Sequence, residues 1–291
     1  PPYSWLTLDG GIMASGTVPE SSYKEISVGF DAGTLAEGMY QADIILSSND
    51  PDAPQITVPV TLTVSSGFEV QLNVWLEGPY ATGQMAAWLC AMPDFPMNQP
   101  YNTYPWDYNG SELVTSVPNP DVVDWVLVEL RDADIAANAT SGTMIARQAG
   151  FLLTDGSVVC TDGNTSMFFS AAVNQNLFAV ICHRNHLDVM SGNPLVQNGN
   201  IYTYDFTTAA GQAHGGILGH KEIDAGVYGM TGGDGMPDGQ IGNGDKVDVW
   251  VPQSGSSGYL YGDFSLDGQV NNGDKVEVWG PNSGSGSQVP D

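Results

Sequence analysis

The chain is short of positive charge. Only 7 of its 291 residues are Lys or Arg, against 33 Asp and Glu, which leaves a net charge of −26. Binding to nucleic acid by counterion release needs a basic face, and docking on an anionic membrane needs Lys/Arg clusters, so both classes are excluded as defaults. No run of eighteen apolar residues occurs, so no transmembrane helix is expected. Long stretches of helical periodicity are missing as well. Cysteine is scarce: Cys90, Cys160 and Cys182 permit at most one intramolecular disulfide, and a Cys160–Cys182 or Cys90-containing bridge stands level with three buried thiols. There is no initiator Met and no signal peptide, and the opening Pro1-Pro2 reads as a processed product or a piece of something longer.

What is present is turn chemistry and apolar material. The 36 Gly and 18 Pro exceed average usage of about 7% and 5%, while 42% of residues are apolar, enough to build real cores. Residues 3–8, 25–30, 39–46 and 56–64 alternate apolar and polar between Gly/Pro/Asn/Asp turns, the pattern of half-buried strands. A complete sandwich of this kind has about seven strands, so four leave an open edge that upstream strands or a strand from another chain must cover. Residues 68–75, 124–130 and 177–182 are strand-like again, and Asp155-Gly156 supplies a two-residue hairpin turn within 150–159. The expected fold is all-β: two tandem β-sandwich domains, Ig-like or jelly-roll-like, over 1–66 and 67–220, followed by a small calcium-loop module of the dockerin/EF-hand kind over 221–291. Aromatics within 97–109 offer a sugar-stacking surface or, more simply, pack a long loop onto a sheet.

The last segment repeats. Gly233-Asp-Gly-Met-Pro-Asp-Gly-Gln-Ile-Gly-Asn-Gly-Asp-Lys-Val-Asp-Val-Trp250 aligns with Gly262-Asp-Phe-Ser-Leu-Asp-Gly-Gln-Val-Asn-Asn-Gly-Asp-Lys-Val-Glu-Val-Trp279, and the same offset of 29 carries Pro252 to Pro281 and Gly255 to Gly284. Each copy is a twelve-residue loop with Asp at positions 1, 5 and 12, Gly at the sharp turn of position 6 and an aliphatic at 8. Carboxylate and carbonyl oxygens in this spacing suit a hard cation, so Ca2+ is the expected cofactor. The expected ligands are Asp234, Asp238, the Gln240 carbonyl and Asp245 in the first copy, and Asp263, Ser265, Asp267, the Gln269 carbonyl and Asp274 in the second. One helical turn is expected after each loop, ended early by Pro252 and Pro281.

These residues resemble the dockerin type I repeat over about sixty residues. Met236 departs from it at position 3, where dockerins place Asn or Asp, which implies a weaker first site or one completed by water. The order of parts resembles secreted bacterial surface proteins of the type IX secretion kind, in which BACON/Ig-like domains precede a β-domain and a dockerin-like tail. The signatures are Trp5-Leu6, Ser48-Asn-Asp-Pro-Asp52, 124–131 and 141–150. The resemblance implies an extracellular or cell-surface location and no particular reaction.

No Gly-x-Ser-x-Gly elbow, His-Glu-x-x-His motif or phosphate loop occurs, and no two of the acids are singled out as a glycosidase pair. His183 and His186, with Asp188, invite an acid–base reading, but an i, i+3 pair on a strand points to opposite faces, so a hydrogen-bonded hairpin end is the plainer reading. The chain is therefore expected to be no enzyme but a calcium-stabilised structural subunit of a surface filament or matrix, forming a homo-polymer as a terminal strand of one copy completes the first sandwich of the next. The alternative is a glycan- or cohesin-binding module clipped from a larger secreted enzyme or adhesin.

Overall fold

The computed structural model describes residues 3–64 and 67–291; Pro1, Pro2 and the expected boundary residues Ser65 and Ser66 lie outside the described residues. The chain is β-rich, with several small sheets and no barrel among the described residues, and it divides into two compact units, 1–66 and 67–291. The repeat segment belongs to the second unit.

In the first unit β1 (Leu6–Leu8) pairs antiparallel with β2 (Val28–Phe30), and β3 (Gly38–Ser47) with β4 (Gln55–Val64). The 48–54 turn closes the longer hairpin through Ser48 N–H to Pro54 O at 3.0 Å and Asp52 N–H to Asp50 Oδ1 at 2.9 Å. Pro59 sits within β4, a residue that strands tolerate at edges because it has no N–H to give a neighbour. Only Trp5 and Ala42 are buried apolar residues among those described in this unit. Trp5 stacks on Phe30 and meets Tyr40 edge-on, tying the two hairpins together. Beside it a groove of about 830 Å3 stays open, lined by Leu6, Leu8, Ile12, Val28, Ile44 and Val58 among others.

The second unit opens with β5 (Phe68–Asn73), then the small hairpin β6 (Tyr80–Ala81) and β7 (Gln84–Met85). It continues through β8 (Val122–Ala133), β9 (Met144–Leu153), β10 (Val158–Val159), β11 (Met167–Phe169), β12 (Asn176–His183) and β13 (His186–Met190). Next come β14 (Val196–Asn198), β15 (Ile201–Asp205), and a last hairpin of β16 (Lys221–Asp224) and β17 (Val227–Gly229). One antiparallel sheet runs β10-β9-β8-β12-β13 and the other β11-β5-β15-β14, with β5 and β15 parallel. Side chains of both sheets enter one apolar cluster, among them Val70, Leu72, Tyr204, Val126, Phe151 and Phe178.

Strand β8 is buried almost throughout, the mark of a central strand covered on both faces. The long loop before it supplies part of that cover. Tyr101 is fully buried and its hydroxyl donates to the Trp125 carbonyl at 2.7 Å, while Trp125 Nε1–H donates to Pro96 O at 2.8 Å. Trp106 is buried too, and of the aromatics in 97–109 Tyr104 alone is largely exposed, so this loop packs its rings onto the sheet. The C-terminal tail is also docked: Arg131 Nη1 donates to Pro290 O at 2.6 Å and Ser287 Oγ to Asp188 O at 3.1 Å. All three cysteines are free thiols, but only Cys182 is buried, and Cys90 and Cys160 are half-buried.

Candidate metal centre

Both repeats fold into the same loop, with the same main-chain N–H groups bonded to the same carboxylates. Asp234 Oδ1 accepts Asp238 N–H at 3.2 Å and its Oδ2 accepts Gly239 N–H at 3.0 Å; Asp263 does the same with Asp267 at 3.1 Å and Gly268 at 2.8 Å. Asp245 accepts the N–H groups of Met236 and Gly242, and Asp274 those of Ser265 and Asn271. Asp238 and Asp267 take Gln240 N–H and Gln269 N–H. Gly239 and Gly268 turn the chain with φ of +79° and +83°, the left-handed conformation that favours glycine at position 6.

Position 1 and position 12 carboxylates are buried: Asp234 and Asp245 are 2% exposed, Asp263 and Asp274 fully hidden. Asp238, Gln240 and Gln269 are exposed, and Ser265 and Asp267 are half-buried, with Ser265 Oγ 3.4 Å from Asp263 Oδ1. None of the ion pairs among the described residues involves a loop carboxylate. Desolvation, reinforced by Asp245, pushes Asp234 up to about 8. Desolvation likewise brings Asp263 to about 7, with Arg184 pulling the other way, and it raises Asp245 and Asp274. Buried carboxylates without a cationic partner are costly, and a divalent cation at the loop would supply the missing charge.

The donor set fits calcium better in the second loop. Among the described residues no three His, Cys, Asp or Glu side chains converge closely enough to hold a metal by themselves. A cation held here draws on carboxylates together with main-chain and hydroxyl oxygens, the mixed flexible set that calcium accepts. In the first loop Met236 contributes no oxygen from its side chain, and its sulfur lies over Gly244, where an added Cβ would come within 2.7 Å of it.

After each loop the chain winds into a wide π-helical turn, Asp245–Trp250 and Asp274–Trp279, and then continues as α-helix over Val251–Gln253 and Gly280–Asn282. Pro252 and Pro281 thus sit inside these helices and do not end them. The i→i+5 bonds Val251 N–H to Lys246 O and Gly280 N–H to Lys275 O widen the helix where an α turn brings the proline ring against a carbonyl.

The two copies clasp each other about an approximate two-fold. Trp250 Nε1–H donates to the Asn271 carbonyl and Trp279 Nε1–H to the Gly242 carbonyl, both at 2.9 Å, while Lys246 lies over Trp279 and Lys275 over Trp250. Residues 255–258 pair with the second loop through Gly258 N–H to Gly268 O and Val270 N–H to Ser256 O. Residues 284–287 pair with the first loop through Ile241 N–H to Ser285 O and Ser287 N–H to Gly239 O. The offset of 29 carries Gly255 to Gly284, so this exchange of strands was written in the repeat beyond its tryptophans.

The tip of the β12–β13 hairpin lies against the loops, and reading the sequence missed this. Arg184 Nη1 donates to Leu260 O, and Asn185 Nδ2 donates to Tyr261 O at 3.2 Å and Asp263 O at 2.7 Å. The Asn185 carbonyl accepts Gly233 N–H and Asp234 N–H at 3.0 and 3.2 Å. Gly78 lies where an added Cβ would be 2.0 Å from Phe264 O, a close approach only glycine permits.

His183 and His186 do not point to opposite faces. The chain reverses between them, so they face each other as cross-strand partners with Nδ1 atoms 3.1 Å apart. Gly78 N–H donates to His186 Nε2 at 3.3 Å and His183 Nε2 lies 3.1 Å from Asp124 Oδ2. The neutral tautomers therefore carry their protons on His186 Nδ1 and His183 Nε2. Both rings are buried, and desolvation lowers the pKa of each, most strongly for His186. In a proton NMR titration His183 and His186 are expected to keep neutral imidazole shifts at pH 6; a midpoint near the ordinary value of about 6.5 for either ring would contradict this packing.

Comparison with protein families, with curated proteins and with solved structures finds no match to the chain.

Proposed function

We propose that the chain is a non-enzymatic, extracellular structural subunit, built from two β-sandwich-like units and calcium loops of the dockerin kind, that joins further copies of itself through its first unit. Calcium is held in the two loops, by Asp263, Ser265, Asp267, the Gln269 carbonyl and Asp274 in the second and by Asp234, Asp238, the Gln240 carbonyl and Asp245 in the first. It acts as a staple on the second unit, because an ion that binds only the folded state adds stability by mass action. The observation that carries assembly is the first unit itself. Its hairpin of two ten-residue strands, β3 and β4, stands as a two-stranded sheet, and the apolar groove beside it is uncovered. A sheet edge and apolar face of this kind accept an added strand, which joins copies head to tail.

The tail 284–287 and strand β1 are already paired within their own chain, so the strand that joins copies is a free edge of β3 or β4. Light scattering and negative-stain imaging of the chain in calcium are expected to show assemblies. Val58→Lys, which puts a charge on the groove opposite Ile44, is expected to leave monomers with the second unit's unfolding unchanged. A wild type that stays monomeric at tens of micromolar in calcium would sink the assembly reading.

A further inference from the structure

We infer that Asn185 is a positioning residue that couples the two calcium loops, making binding at one favour binding at the other; this rests on the calcium reading above. The two loops are related by 29 residues, and Asp234 and Asp263 are equivalent first positions. Both hang from the same residue of a different element. The Asn185 main-chain carbonyl takes Asp234 N–H at 3.2 Å, and its side-chain amide donates to the Asp263 carbonyl at 2.7 Å. Asn185 is itself fully buried, and its Oδ1 lies 3.0 Å from His186 Nδ1, so the side chain is held at both ends.

The position of this link matters. The indoles of Trp250 and Trp279 also bridge the repeats, but they reach carbonyls at position 9, outside the expected ligand set. Asn185 touches the main chain of the residue that begins each ligand set. Ordering one loop around an ion fixes Asn185, and the other loop then closes onto an anchor already in place. The ordering cost is met once for two sites, which is positive coupling.

The test is a calcium titration of the full chain against a chelating dye. The overall two-ion binding constant of the intact chain is expected to exceed the product of the single-site constants, measured in Asp234→Ala and Asp263→Ala, by about tenfold. With Asn185→Ala placed in all three proteins, that excess is expected to fall to within about twofold of unity. A residue that merely supported the fold would weaken each site without removing the dependence of one on the other. If near-UV circular dichroism shows that Asn185→Ala does not fold, Asn185→Ser replaces it: its hydroxyl fills part of the space with a polar group but ends one bond short of the amide nitrogen that meets the Asp263 carbonyl. A tenfold excess retained in the Asn185 variants overturns the coupling role and leaves the calcium reading standing. An intact chain that binds no calcium overturns the calcium reading and the coupling together.

Discussion

Removing calcium with excess chelator is expected to lower the unfolding midpoint of the second unit by roughly 10–20 °C, measured by calorimetry in millimolar calcium and in EGTA. The size follows from mass action. A site with free ion at about a hundred times its dissociation constant adds about 2.7 kcal/mol, so two sites add about 5 kcal/mol. In a unit of this size each kcal/mol moves the midpoint by about 2–4 °C. Structure says where the loss falls. The loops share their strand pairing with 255–258 and 284–287 and their first positions with the β12–β13 hairpin, so the whole second unit should respond. The first unit contains no such loop, and its transition should stay in place. Magnesium, smaller and stricter in its octahedral geometry, is expected to restore little of the shift. A midpoint that moves by less than a degree on chelation would mean that the buried carboxylates of these loops are held without an ion.

What could be read from the sequence was local or periodic. Strand alternation placed β3 and β4 to within a residue or two, because one face of each strand meets apolar neighbours and the other water. The loop pattern at Asp234 and Asp263 was legible because position within twelve residues determines which N–H each carboxylate can reach. The fate of Pro252 and Pro281 was not legible, since a proline normally ends or kinks a helix and only the wide turn before it removes the clash. Contacts across long stretches of chain were hidden for a different reason. The Asn185 side chain meets Asp263 across 78 residues, β5 finds β15 in parallel, and Tyr259 reaches Asp124 across 135 residues. Nothing in spacing marks such partners. The histidine pair shows the same limit on a small scale, because an i, i+3 rule holds along one strand and fails where two residues turn the chain.

Arg184→Met is expected to cost the second unit about 3–5 kcal/mol, or a midpoint roughly 6–20 °C lower, although a single side chain is changed. Asp124 is fully buried, with His183 Nε2 at 3.1 Å and Arg184 Nε at 2.9 Å on Oδ2, and Tyr259 O–H at 2.7 Å on Oδ1. Arg184 also lies over the Tyr259 ring at 4.1 Å, so its plane is fixed by packing as well as by charge. Desolvation works to raise the Asp124 carboxyl, but the Arg184 charge and the bonds from His183 and Tyr259 outweigh it and hold the group below its usual range. Without the guanidinium the desolvation remains and the compensation goes. The carboxyl's folded pKa is then expected to rise from its depressed position, and the charged form is less well compensated near neutrality. The sign of the pH dependence follows. In the wild type this group's contribution is present above the unfolded pKa and lost as pH falls through the folded one. In the variant, protonation relieves the burden as pH falls, so the difference in stability between wild type and Arg184→Met should be largest near pH 7 and shrink toward pH 4. Taking the difference cancels the titrating groups remote from Arg184, while Asp263, His183 and His186, which its charge also shifts, stay in it. Asp124→Asn in the Arg184→Met background is expected to recover part of the loss at pH 7, since it removes the stranded charge while keeping an oxygen for Tyr259. Denaturant unfolding of the three proteins at pH 7 and pH 4.5 decides it: a pH-independent cost would assign the effect to lost packing against Tyr259 and Leu260, and no cost at all would show that the buried cluster is not held by its ion pair.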